Sequence, residues 1–354
     1  ARAIGATLNF FDAQDQARRT TRRLVFVYVL ATILIVLGVT LIVGAALFMF
    51  DNTSYGGSFA TFATQRTGLL LGIAVFAALL IVGATAYKTA ALSSGGGRVA
   101  TDMGGTLVPP NVQDPLRRRL RNVVEEMAIA SGMPVPEIYV LEQENGINAF
   151  AAGYAPGDAA IAVTRGTLEL LDRDELQGVI GHEFSHILNG DMRLNIRLMG
   201  VLFGIMVLGL IGRTILRGGR HGAFVSSRRG KGAPVVLIIG LGLTILGAIG
   251  VFFARTIKAG VSRQRESLAD ASAVQFTRQT AGIANALKKI GGYSAGSLIT
   301  SADPEEVSHM LFGEGGKFSG LFATHPPLAE RIQALDPSFK ESDFPRVDPR
   351  QRNA

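Results

Sequence analysis

His182 and His186 stand four residues apart in the stretch GHEFSHILNGD, residues 181–191, with Glu183 between them. On an α-helix that spacing projects both imidazoles from one face, where they can grip one divalent cation. Glu183 lies one step round the helix. A carboxylate there can polarise a water on the cation and later shuttle its proton. The H-E-x-x-H pattern is therefore suited to metal-assisted hydrolysis. Two surface histidines on an ordinary helix are the plainer alternative. Context disfavours it, because Gly178 and Gly181 weaken a helix yet permit close approach on the side of the site.

A catalytic zinc usually takes three protein ligands and leaves one position for water. The chain has no cysteine, which excludes disulfides and thiolate ligands, and only five histidines: His182, His186, His221, His309 and His325. No further histidine completes the longer H-E-x-x-H-x-x-G-x-x-H pattern. Downstream carboxylates are therefore the candidates, and RQRESLAD, residues 263–270, stands out. Glu266 and Asp270 are four apart on an expected helix, which suits one as ligand and the other as partner to a ligand histidine. The competing reading is a surface pair bonded to Arg263 or Arg265. His221 and His309 read as solvent-facing.

The elements that must position these groups are partly apolar. Of 354 residues, 48% are hydrophobic, and the excess falls in four blocks: Leu24 to Phe50, Gly68 to Leu92, Ile196 to Leu216, and Ala233 to Ala254. Each has the roughly 20 residues that an α-helix needs to cross the hydrocarbon core. Buried helices of a soluble protein are rarely so long and apolar on every face. The first block is too long for a secretory h-region and lacks an obvious small-residue cleavage site. The chain begins with Ala1 rather than Met, as a processed or trimmed chain would.

The net charge is +7. Basic residues cluster beside the spans, at Arg18, Arg19, Arg22 and Arg23 and again from Arg255 to Arg265, with no aromatic-interleaved basic motif. Anionic lipid and topology account for them, and no nucleic-acid partner is expected. Four arginines precede the first span against Arg66 in the loop after it. The N-terminus and everything after the second span are thus expected in the cytoplasm. Arg217, Arg220, Arg228, Arg229 and Lys231 disturb that scheme. Either their loop is an exception, or the third and fourth segments form a hairpin that does not fully traverse.

Between the spans the chain turns polar. SSGGGRVATDMGG reads as a Gly-rich linker before Pro109-Pro110. Leu116, Leu120, Val123, Val124 and Met127 then share one helical face, with Gly132 placed to cap its C-terminus. EIYVLE, INAFAAG and AAIAVT are short β-type runs bounded by Pro and Gly. The site helix starts at Asp172, a good N-cap, with Glu175 completing a capping-box pair. After Ala254, helices are expected over SRQRESLADASAVQFTR and around IANALKKIGG.

INAFAAG, HEFSHILNGD, SRQRESLAD and THPPLAERI, in this order and with a hydrophobic hairpin between the second and third, resemble the HtpX family of membrane zinc metalloproteases. That family belongs to the gluzincin group, which also holds the CAAX prenyl endopeptidases. The resemblance runs from about Gly104 to Leu335. It implies a mainly α, multi-pass α-helical membrane protein with a zincin-like α+β (gluzincin) catalytic domain carrying a small β-sheet. One Zn²⁺ per chain would be held by His182, His186 and Glu266, with Glu183 as general base and Asp270 orienting a ligand. Asn148 matches the Asn of the strand beside the cleft, where extended substrate would pair by β-addition. His325 matches the His of the H-P motif near the oxyanion, with Arg331 in support. The chain departs from the family at Ser267, where an aromatic often stands, and in a longer N-terminal lead and first loop.

The expected division is a basic lead (1–23), two membrane helices (24–92), the two parts of a zinc protease domain (93–192 and 255–340) around a hydrophobic hairpin (193–254), and a tail (341–354). The implied function is quality control: an endopeptidase in a bacterial-type inner membrane cleaving misfolded or damaged membrane proteins at the cytoplasmic face. An inactive scaffold or adaptor with the same fold, or a CAAX-type processing protease, are the alternatives. The partners are protein or peptide substrates and the lipid bilayer, and no signature of an oligomeric state is present. One zinc requires that residues before the third span and after the fourth lie on one side, so the hairpin returns. Asn189-Gly190-Asp191 is the polar junction where the site helix reaches the membrane surface.

Overall fold

The computed structural model of the chain describes residues 10–50, 58–220, 232–293, 296–297, 311–312 and 325–347. His221, His309 and most of the basic loop after the third span lie outside these. Two compact units divide the chain: one of Ala1–Arg22, Leu92–Ile196 and Lys258–Ala354, the other of Arg23–Ala91 and Arg197–Ile257.

Among the described residues, four helices are long and apolar enough to cross a membrane: α1 (Phe10–Phe50), α3 (Thr67–Leu92), α8 (Asp191–Arg220) and α9 (Gly232–Thr277). The short α2 (Phe59–Gln65) lies between the first two. Large apolar side chains such as Phe76, Leu79 and Val82 point outward from α3, as a lipid-facing helix requires. The chain is a membrane protein. Inside this unit the helices meet at glycines. A Cβ on Gly247 would collide with the backbone of Gly209, and one on Gly212 would lie 2.6 Å from the Thr244 nitrogen. Small residues of this kind let helix backbones approach closely where lipid offers no hydrophobic drive.

The other unit is layered around a four-stranded mixed sheet in the order β1-β2-β4-β3. Its strands are β1 (Gly105–Leu107), β2 (Glu137–Leu141), β3 (Ala149–Ala152) and β4 (Ala160–Thr164). β2 and β4 run parallel, with Ile138 opposite Ile161, and the outer pairs are antiparallel. Ile138, Val140, Ile161 and Val163 face a core shared with α5 (Pro115–Ser131), α7 (Arg173–Asn189) and α10 (Ala281–Gly292). Tyr139, Leu141, Ala160 and Ala162 face the opposite side, packed with Ala100 and Met103. Both faces are covered, so these strands are apolar throughout instead of alternating. Two shorter helices among the described residues are α6 (Arg165–Leu170) and α11 (Leu328–Leu335).

Ala100 belongs to α4 (Gly96–Asp102), where the sequence suggested a linker. Its glycines serve packing. A Cβ on Gly96 would strike the Ala152 carbonyl oxygen and the Ala160 nitrogen, so only glycine brings α4 onto the sheet. β1 follows directly, also unforeseen because three residues carry little pattern. A second difference lies at α9, which continues unbroken past Ala254 to Thr277. No proline interrupts Arg255–Arg265, and its Lys, Arg and Gln are good helix formers. The lead is likewise helical from Phe10 onward.

Candidate metal centre

Helix α7 is fixed at both ends before it presents any chemistry. Asp172 Oδ1 accepts from the Glu175 amide at 2.9 Å, and Glu175 Oε2 accepts from the Asp172 amide at 2.8 Å. At the other end Gly190 takes the left-handed conformation, φ 69°, which stops the helix and lets α8 begin at Asp191. A Cβ on Gly178 would lie 2.5 Å from the Ile283 nitrogen of α10, whereas Gly181 makes ordinary contact with Ala273 of α9. The close approach that glycine permits here admits a packing helix rather than serving the metal side.

His182 and His186 turn their Nε2 atoms toward each other, 3.1 Å apart. Glu266, on α9, brings Oε2 to 3.5 Å from His182 Nε2 and Oε1 to 3.5 Å from His186 Nε2. All three offer ligand atoms within 4.8 Å of one another, so the group can bind a metal ion. With Zn–N bonds of about 2.0–2.1 Å, two tetrahedral ligands stand about 3.3–3.4 Å apart, close to the spacing found. The carboxylates of Glu183, Asp191, Glu266 and Asp270 gather here with the imidazoles of His182, His186 and His325, and Arg265 and Arg331 pair with Asp191 and Asp270.

Glu183 is completely buried, and neither carboxylate oxygen has a hydrogen-bond partner among the described residues. Burial pushes its carboxyl above the usual carboxylate range, and the neighbouring His186 and His182 pull it only partly back. A buried acid with both oxygens unspent is costly as structure, and it is what a proton-shuttling base requires. Burial alone would lower the His186 imidazole. Hydrogen bonds to Asp191 and Glu266 outweigh it and hold the ring well above its ordinary value.

The remaining expected residues fall as follows. Asp270, one turn beyond Glu266, meets His182 Nδ1 at 2.8 Å. Arg331, on α11, donates to Asp270 through Nε at 2.9 Å and Nη2 at 2.7 Å, and lies 3.5 Å from Glu266 Oε2. Its guanidinium thus clamps Asp270. Burial would lower it, but Asp270 and Glu266 raise it above its usual range. His325 Nδ1 lies 2.9 Å from Glu266 Oε2. Asn148 is fully buried at the start of β3. Its amide donates to the Ser297 carbonyl at 2.6 Å and its Oδ1 accepts from the Ala149 amide at 3.0 Å.

Further residues belong to the cluster. Asp191 Oδ2 meets His186 Nδ1 at 2.9 Å, and Asp191 Oδ1 meets Arg265 Nη1 at 2.7 Å. The signal for Asp191 was present in the sequence, five residues after His186 and across a glycine cap. Phe312, fully buried, sets its ring edge-on to His182 at 4.9 Å and under the Arg331 guanidinium at 5.0 Å. Its amide donates to the Ala149 carbonyl at 2.8 Å, and Leu311 bridges Phe150 antiparallel. The chain itself therefore already pairs with the outer edge of β3. No spacing rule joins Phe312 to β3 or to His182, so only the fold reveals it.

Comparison with known proteins converges on one group. A model of peptidase family M48 matches residues 115–338. A protease HtpX homolog of Thermoanaerobacter pseudethanolicus is 42% identical over 220 residues, 61% of this chain and 70% of that protein. The protease HtpX homolog of Streptococcus pyogenes is 37% identical over 218 residues, 60% and 71% of the two chains. That of Bacteroides fragilis is 35% identical over 227 residues, 62% and 68%.

Proposed function

The chain belongs to peptidase family M48, and from that premise we propose an HtpX-type zinc endopeptidase of a bacterial inner membrane that cleaves misfolded or damaged membrane proteins at the cytoplasmic face. That it is a membrane metalloendopeptidase follows from the family and the four apolar helices. The protease domain is assigned to residues 93–192 and 255–340, around the hydrophobic hairpin 193–254. The observation that carries the catalytic reading is the buried, unpartnered Glu183 carboxylate beside two imidazole nitrogens 3.1 Å apart.

His182, His186 and Glu266 are assigned as the ligands of one zinc ion. When bound, zinc supplies a Lewis acid that acidifies water and polarises the scissile carbonyl. Glu183 takes the proton from the attacking water and delivers it to the leaving amine. Its raised affinity for a proton suits both halves of that transfer. Asp270, held by Arg331, keeps His182 in the tautomer that leaves Nε2 as donor to the metal. His325 braces Glu266 and is assigned to stabilise the developing oxyanion. Asn148 fixes the start of β3, the strand against which extended substrate is proposed to lie. Leu311 bridges that edge, so substrate must displace it or pair beyond it.

The test uses the full chain in lipid vesicles with zinc and a fluorescently tagged misfolded membrane protein. The unaltered protein should cleave it. Glu183→Gln should keep its metal and lose activity by about 10²–10⁴-fold. Equal cleavage by both proteins would overturn the mechanism.

A further inference from the structure

We propose that Asp191 is a positioning residue for His186, held in place by Arg265, so that each ligand histidine has its own carboxylate and each carboxylate its own arginine. The inference rests on the zinc-site reading of His182, His186 and Glu266. Asp191 is the first residue of α8, and an acid there has an ordinary use, since a carboxylate favours the positive end of a helix. An acid serving only that end would sit in water. Asp191 is 3% exposed, and its two oxygens are spent on side chains from other helices: Oδ2 on His186 Nδ1, Oδ1 on Arg265 Nη1.

The backbone brings this about. Gly190 in the left-handed region turns the chain so that Asp191 faces back toward α7. A β-carbon is strained in that conformation. Arg265 immediately precedes Glu266 on α9, so one short stretch supplies both a metal ligand and the clamp on the other ligand's partner.

The two supports are alike in plan and unequal in strength. The His182 side chain is fully buried, and Asp270 receives two guanidinium bonds from Arg331. The His186 side chain is 16% exposed, and Asp191 receives one contact from Arg265. An imidazole nearer solvent has more freedom to rotate about χ2. Fixing its Nδ1 is what keeps Nε2 turned toward the shared point. A carboxylate on Nδ1 also sets the tautomer and raises the basicity of Nε2.

The test is made on the full chain in detergent, loaded with cobalt(II) as a spectroscopic substitute, alongside zinc competition against a chelator. Asp191→Ala should weaken zinc binding by about 10–100-fold and alter the visible cobalt spectrum, because one imidazole donor is no longer oriented. Asp191→Asn, which still offers an oxygen to Nδ1–H, should recover most of the affinity and the spectrum. That rescue would not be seen if the residue merely held the fold. The double variant Asp191→Ala with Arg265→Gln should stay weak. Recovery of full affinity in the double variant would mean that Asp191 only neutralises Arg265, and would overturn the proposal. Unchanged affinity and spectrum in Asp191→Ala, with cobalt lost in Glu266→Ala, would overturn it alone. Failure of the unaltered chain to bind cobalt or zinc would overturn the zinc site as well.

Discussion

The two compact units bury different things. Among the described residues, every buried polar or charged side chain belongs to the unit that holds the candidate metal centre, from Glu144 and Asn148 through Glu183, Glu266 and Asp270 to Arg331. In the apolar unit, hydroxyls such as those of Thr40 and Thr244 donate to carbonyls of their own helices, and shape does the rest. Glycines that only just fit occur in both, at Gly178 and Gly96 in one and at Gly212 and Gly247 in the other. Close packing is thus common to both units, while buried charge is confined to one. The metal-centre unit should therefore fail when a charge loses its partner, and the apolar unit when a volume is added.

The sharpest break is at Arg331. Arg331→Met removes a guanidinium that is 4% exposed and leaves Asp270 buried beside Glu266 without its cation. Removing one partner of a buried ion pair typically destabilises by about 3–5 kcal/mol. A thermal or denaturant melt of the protein in detergent should show a loss of that order. Because Asp270 then no longer fixes His182, zinc content by elemental analysis should fall too. A melt shifted by less than about 1 kcal/mol would mean that shape, not charge, holds this unit as well.

Glycine substitutions test the other half of the comparison. Gly247→Ala places a methyl against the Gly209 backbone, and Gly178→Ala places one 2.5 Å from the Ile283 nitrogen. Backbone cannot step aside as a flexible side chain can, so each should destabilise by about 1–3 kcal/mol. Gly72→Ala on α3 is the control, since a Cβ there meets nothing within 4 Å. It should be neutral or stabilising by up to about 1 kcal/mol, as alanine is the better helix former. Equal losses at Gly72 and Gly247 would remove close approach as the cause.

What the sequence revealed follows from how local each signal is. The four spans, the strands β2, β3 and β4, the caps at Asp172 and Gly132, and the face of α7 that carries His182 and His186 were all legible. Each depends on residues within a turn or two of one another. Asp191 also was within reach, but its meaning depends on the left-handed turn at Gly190, which a helical pattern does not represent. The glycines of α4 misled because a run of Gly has two opposite uses: freedom where nothing is near, and contact where backbone is near. Only the Ala152 carbonyl against Gly96 decides between them. Arg331 on Asp270, Leu311 on Phe150 and Phe312 on His182 join distant segments, and no periodicity encodes such meetings.

The smallest effect should come from Asp172→Ala, which separates the stability of α7 from its chemistry. The substitution leaves the Glu175 amide without its acceptor and breaks the reciprocal bond, a loss of about 1 kcal/mol for an N-cap. Glu175 keeps its ion pair to Lys289 at 2.6 Å, so the first turn retains one tie to α10. His182 lies ten residues further on, beyond the point where Gly178 seats against Ile283. Fraying of the first turn must pass that contact to reach the proposed metal ligands, and the contact is backbone to backbone. The melt should therefore drop slightly, while zinc content and the rate of substrate cleavage stay at their unaltered values. If zinc is lost together with the cap, α7 is not locked at Gly178. The metal centre would then depend on the exposed start of its helix as much as on the buried charges around it.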